Sequence, residues 1–139
     1  MKAQDLMIGD FVFLENYGNA IIENIDNDFG DNPSVKLISE NIKHKDGYKY
    51  GYCWCDLNEI FPLPLTPEIL EKNEFECYSR ESNLIWGITL PEGHFVLAYM
   101  DYYWEFTVDA TIYRRIKIQY VHQLQHLLKL CKIEKEIIL

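Results

Sequence analysis

"PLPLTPEILEKN", residues 62–73, decides how the chain is divided. Thr66 offers an oxygen to the orphan N–H groups of a helix start, and Pro67 brings a φ already suited to the first turn. Glu68 sits at the positive end of the helix dipole, and Leu65 is spaced to staple against Leu70. Asn73 marks the stop. The helix is short, about two turns, and the prolines around it make it a joint. A β-rich lobe over 1–61 is therefore predicted on one side of the joint. A helix, sheet and second helix are predicted over 62–139, with the two parts able to form one compact unit.

Upstream of the joint, strands are predicted over 8–14, entered through Gly9, and over 20–25, with the turn Asn16-Tyr17-Gly18-Asn19 between them. A polar loop over 26–33 leads to a strand over 34–39, and a charged turn over 43–47 leads to one over 48–57. Short strands joined by Gly, Asn and Asp turns predict a small, strongly bent antiparallel sheet or an SH3-like, barrel-like lobe. Downstream, strands over 84–90 and 94–99 flank the hairpin turn Pro91-Glu92-Gly93. Alternation over 103–108 puts Trp104, Phe106 and Val108 on one face. Over 112–118 it points Ile112, Ile116 and Ile118 inward and Tyr113, Arg115 and Lys117 outward. The last helix, 119–132, repeats Val121, Leu124, Leu127, Leu128 and Cys131 as its buried stripe. The fold class is α+β: an SH3-like lobe, a short joining helix, and an antiparallel sheet packed with one C-terminal helix.

The 139 residues are 48% apolar, enough for such a core, and no run of about 18 apolar residues would cross a membrane. The first five residues lack the pattern of a secretory leader, so a cytoplasmic, membrane-free protein is expected. Cys53, Cys55, Cys77 and Cys131 are too few and too unevenly spaced for a disulfide framework and read as small core thiols. Charge is lopsided. Residues 1–110 carry 7 Lys and Arg against 20 Asp and Glu, and residues 111–139 carry 6 against 2. An acidic body repels phosphate, which disfavours direct nucleic-acid binding unless Arg115, Lys117 and the C-terminal lysines form a separate patch. The same acidity admits another reading, a nucleic-acid mimic competing for a basic groove.

His122 and His126 stand four residues apart on one helix face, the spacing of a metal pair. The zinc-protease motif needs a Glu after the first His as general base, and Gln123 cannot take a proton. Spacing indicates no third ligand, so exposed histidines on a polar face are expected; metal binding or metal-dependent catalysis by His122 and His126 is the alternative. Cys53 and Cys55 share one strand face but lack a C-x-x-C partner pair. Residues 26–31 imitate a calcium loop only loosely, with Gly30 one place early and Leu37 where a bidentate Glu belongs. Phosphate-loop glycines and nucleophile signatures are missing. No cofactor is expected.

The most suggestive constellation is aromatic. Strand alternation over 48–54 places Tyr48, Tyr50, Tyr52 and Trp54 on one face, with Lys49, Gly51, Cys53 and Cys55 on the other. If exposed, the four rings form a protein-binding surface, because Tyr and Trp supply large contact area at low entropic cost. If buried, they are half the core of the first lobe. The leading expectation is a non-enzymatic protein-binding module that holds a protein partner through these four residues.

Three stretches together resemble a family of small phage, prophage and mobile-element proteins of anaerobic gut bacteria. They are Ile8-Gly9-Asp10-Phe11-Val12, then Pro64-Leu65-Thr66-Pro67-Glu68-Ile69-Leu70 with Phe75 following, and Tyr120-Val121-His122-Gln123-Leu124-Gln125. Glu74 stands where that pattern has Gly, and His126 where it has Asn. The second departure counts against the histidine pair as a shared metal site. The resemblance implies no catalytic activity; by analogy it implies an inhibitor or adaptor acting on a host or phage protein.

Overall fold

The computed structural model describes residues 5–26, 33–42, 51–79, 81–82, 84–109 and 115–139. The chain divides into two compact units, Met1–Leu63 and Pro64–Leu139, and the fold is α+β with two five-stranded antiparallel sheets.

In the first unit, β1 (Phe11–Leu14), β2 (Gly18–Asp26), β3 (Ser34–Ser39) and β4 (Gly51–Asp56) are followed by a single 3-10 turn, Leu57–Glu59, and β5 (Ile60–Pro62). The order across the sheet is β4-β3-β2-β1-β5. The sheet is open: among the described residues no β4–β5 pairing closes it into a barrel. Two elements escape the sequence reading, the 3-10 turn and β5, because three residues each are too few to show a period. The first strand is also shorter than expected. Residues 7–10 form a turn in which the Met7 N–H donates to the buried Asp10 carboxylate at 2.7 Å, with Gly9 at φ 92°. A bulge between Ile22 and Asn24 shifts the β2–β3 register. One face of this sheet carries the core: Leu6, Val12, Leu14, Ala20, Ile22, Val35, Leu37 and Ile60 are buried, with Cys53 and Cys55 packed against them.

The second unit holds the joining helix α1 (Pro67–Lys72), strands β6 (Glu76–Cys77), β7 (Ile85–Leu90), β8 (Gly93–Tyr99), β9 (Trp104–Val108) and β10 (Ile116–Ile118), and α2 (Val121–Leu130). The sheet runs β10-β9-β8-β7-β6. Helix α1 starts as its sequence dictates: Thr66 Oγ1 accepts from the Ile69 N–H at 3.4 Å, with Pro67 in the first turn. Gln123 caps α2 by accepting from the Gln119 and Tyr120 N–H groups at 2.7 and 3.2 Å. Both helices end in one geometry. The Glu74 N–H donates to Glu71 and the Phe75 N–H to Leu70; the Lys132 N–H donates to Lys129 and the Ile133 N–H to Leu128. These are Schellman ends, with Glu74 (φ 66°) and Lys132 (φ 58°) in the left-handed conformation and buried Phe75 and Ile133 behind them.

The inner face of the second sheet buries Trp86, Ile88, Phe95, Leu97, Trp104, Phe106 and Ile118. The Trp104 indole N–H donates to the Leu65 carbonyl at 2.9 Å, so the ring is buried without losing its polar bond. Ile116 stands opposite Phe106 in register yet is exposed, because β10 is the sheet's edge. On the outer face Gly87 makes room for the Tyr78 ring: a Cβ there would lie 2.4 Å from it.

Candidate interaction surface

The register of the first sheet builds its second face. Paired residues share a side, so Phe11 lies beside Ile21, Ile21 beside Ile38, and Ile38 beside Tyr52, a row across four strands. Phe61 and Phe13 pair at one end of this face. In the rows beyond Tyr52 lie Asn24, Lys36 and Trp54, and then Asp26, Ser34 and Asp56. Tyr52 is 54% exposed, Trp54 47%, Phe61 48% and Phe13 38%. Of the expected constellation, then, Tyr52 and Trp54 are brought together on an exposed face; Tyr48 and Tyr50 lie outside the described residues. The sequence reading missed Phe13 and Phe61. Phe61 joins the face only through its pairing with Phe13, and the three residues of β5 leave no alternation to read.

The face also handles charge. Lys36 Nζ sits 4.5 Å from the centroid of the Tyr52 ring and bonds Glu23 at 2.6 Å. A cation is thus held between a carboxylate and an aromatic face, the geometry in which cation–π attraction adds to an ion pair. Asp26 and Asp56 share the neighbouring row. Gly51 lets the start of β4 approach the backbone at Ile42, beyond the end of β3, since a Cβ would lie 2.1 Å from the Ile42 carbonyl oxygen.

On the opposite face of β4 the two thiols are held neutral. Burial pushes Cys55 up to about 12, with Cys53, Glu59 and Asp56 adding repulsion, and burial followed by Glu59 raises Cys53. A nucleophile or metal ligand needs the opposite, a stabilised thiolate.

The histidine pair is placed differently from expectation. His122 is buried at 4% exposure rather than solvated, with the Tyr120 ring stacked on it at 5.8 Å between centroids. The His122 and His126 rings lie edge-on, 5.7 Å between centroids. Among the described residues no group of three or more His, Cys, Asp or Glu is arranged to hold a metal ion. Of the basic residues near the C-terminus, Arg115 pairs with Glu105 at 3.3 Å, and Lys117 lies 4.6 Å over the Tyr103 ring. The loose calcium-loop likeness of 26–31 falls almost wholly outside the described residues. Among them no helix is long and apolar enough to cross a membrane.

Comparison with protein families, with characterised proteins and with solved structures finds no match.

Proposed function

We propose that this protein is a non-enzymatic protein-binding module that holds its partner through Tyr48, Tyr50, Tyr52 and Trp54, the last two of which stand on the outer face of the first sheet, with Phe13 and Phe61 extending the patch. One observation carries the reading. Among the described residues, the buried cluster of the first unit is wholly aliphatic, while Phe13, Tyr52, Trp54 and Phe61 are exposed. Aromatic rings are the usual energetic centres of protein interfaces, and rings not used for folding in a small unit are available for binding. The likeness to small phage-borne proteins supplies the context of a cytoplasmic inhibitor or adaptor acting on a host or phage protein, with no cofactor required.

The test is an affinity pull-down from native host lysate at low and moderate salt, comparing the parent chain with the Tyr52→Ala, Trp54→Ala double variant. One protein retained by the parent at both salts and lost by the variant, with unfolding midpoints alike, is the expected result. Retention by the variant would refute the role of this face, and a collapse of its stability would assign the rings to folding.

A further inference from the structure

An edge strand is a template for another strand, and proteins blunt edges by shortness, proline or lysine. Three of the four edges in the described sheets are blunted in this way. β5 has three residues and ends on Pro62, β6 has two, and β10 has three with Lys117 at its centre. β4 is the exception. It is six residues long, GYCWCD, and holds neither proline nor lysine. Alternate residues of an antiparallel edge strand direct their N–H and C=O groups away from the sheet. Beside that edge, on the outer face, stand Tyr52 and Trp54.

Resting on the reading of the outer face as a binding surface, we infer that β4 accepts an extended segment of the partner bearing Lys or Arg, added as a sixth strand. The charges fix the occupant. Residues 1–63 carry 5 Lys and Arg against 11 Asp and Glu, and on the outer face Lys36 is set against Glu23, Asp26 and Asp56. A strand laid beside β4 places its same-face side chains about 5 Å from Tyr52 and Trp54, within reach of cation–π attraction. Lys36 over Tyr52 is the intramolecular precedent. The next same-face neighbour along that strand meets Asp56. A second copy of this chain is the poorer occupant, since each copy carries a net charge of −9.

The inference is tested with the full chain against an arrayed library of random octapeptides, followed by resynthesis of the best binder with N-methyl groups at alternate backbone nitrogens. The expected winners alternate Lys or Arg with apolar residues. Methylation in one alternate register should abolish binding while the other register is tolerated, because only one set of N–H groups faces β4. Trp54→Lys, and the milder Asp56→Asn should Trp54→Lys fold poorly, are expected to weaken binding at least about tenfold. Winners that are acidic or uncharged, indifference to methylation in both registers, or no enrichment would overturn the added strand. So would a dimer in sedimentation that Trp54→Lys dissolves, which would give the edge to a second copy. In each of those cases the pull-down with the Tyr52, Trp54 variant still decides the outer-face reading separately.

Discussion

The two sheets have the same number of strands, but among the described residues only the second unit buries aromatic side chains. In the second unit Phe75, Trp86, Phe95, Trp104 and Phe106 are buried, and Phe95 stacks on Phe106 with centroids 5.8 Å apart. Among the described residues of the first, the buried apolar side chains are Leu, Val, Ile and Ala, and the rings of Phe13, Tyr52, Trp54 and Phe61 stand outside. Rings buried in a core fill its volume and help hold the fold together. Rings left on an exposed face fill no such volume, so they can answer to something other than folding.

The sharpest way to break this contrast is to truncate one ring on each side. Trp104→Ala removes a buried ring and its bond to the Leu65 carbonyl, and should cost about 3–5 kcal/mol. Trp54→Ala, made on the exposed face, should change stability by less than about 1 kcal/mol. Chemical denaturation of the two variants measures both, and comparable losses would erase the distinction between the sheets. Gly51→Ala ranks next. Its Cβ would strike the Ile42 carbonyl oxygen at 2.1 Å, a backbone atom that cannot swing aside. Overpacking of this kind costs about 1–3 kcal/mol. A lower urea midpoint is the expected reading, and an unchanged one would mean that β4 is held less closely to the backbone at Ile42.

The thiols of β4 sharpen the contrast between that strand's two faces. Cys55 is held up to about 12 by burial first, and its neighbours Cys53, Glu59 and Asp56 add to the effect. A folded-state value above the unfolded one favours folding fully below the unfolded value and loses that contribution as pH rises toward about 12. In a Cys77→Ser, Cys131→Ser background, a thiol reagent at pH 9 should therefore label the native chain far more slowly than the urea-unfolded chain. The native rate should still be climbing at pH 10, where an ordinary thiol has levelled off. Equal rates at pH 9 would show that the inner face of β4 is open to solvent.

Much of this was legible in the sequence, for identifiable reasons. The start of α1 could be read because Thr66, Pro67, Glu68 and the Leu65–Leu70 staple are local chemistry, and alternation over 104–108 survives because β9 is paired on both sides. β5 and β6 could not be read, since two or three residues show no period. His122 was misjudged because position on a helical wheel says which residues share a face and not how far the surrounding structure wraps round it. For the patch, β4's alternation could supply Tyr52 and Trp54, whereas Phe61 depends on a β1–β5 pairing distant in sequence, and Phe13 shares the face of Phe11 through the β1–β2 pairing.

The smallest predicted effect compares the two helix ends. Both close on a left-handed residue that is not glycine, Glu74 after α1 and Lys132 after α2, and a side chain in that conformation costs roughly 1 kcal/mol. Lys132→Gly should therefore stabilise the second unit by about 0.5–1 kcal/mol, after allowing for glycine's greater freedom in the unfolded chain. At Glu74 the same change also removes a carboxylate that Lys135 meets at 2.9 Å. That pair is solvent-exposed on the Glu74 side, so its loss should subtract a few tenths of a kcal/mol at most, roughly. Urea midpoints should then rank Lys132→Gly first, Glu74→Gly second and the parent last. If Glu74→Gly instead falls below the parent, the Lys135 contact contributes more than an exposed ion pair should, and the left-handed glutamate is retained because it ties the extended C-terminal segment to the end of α1.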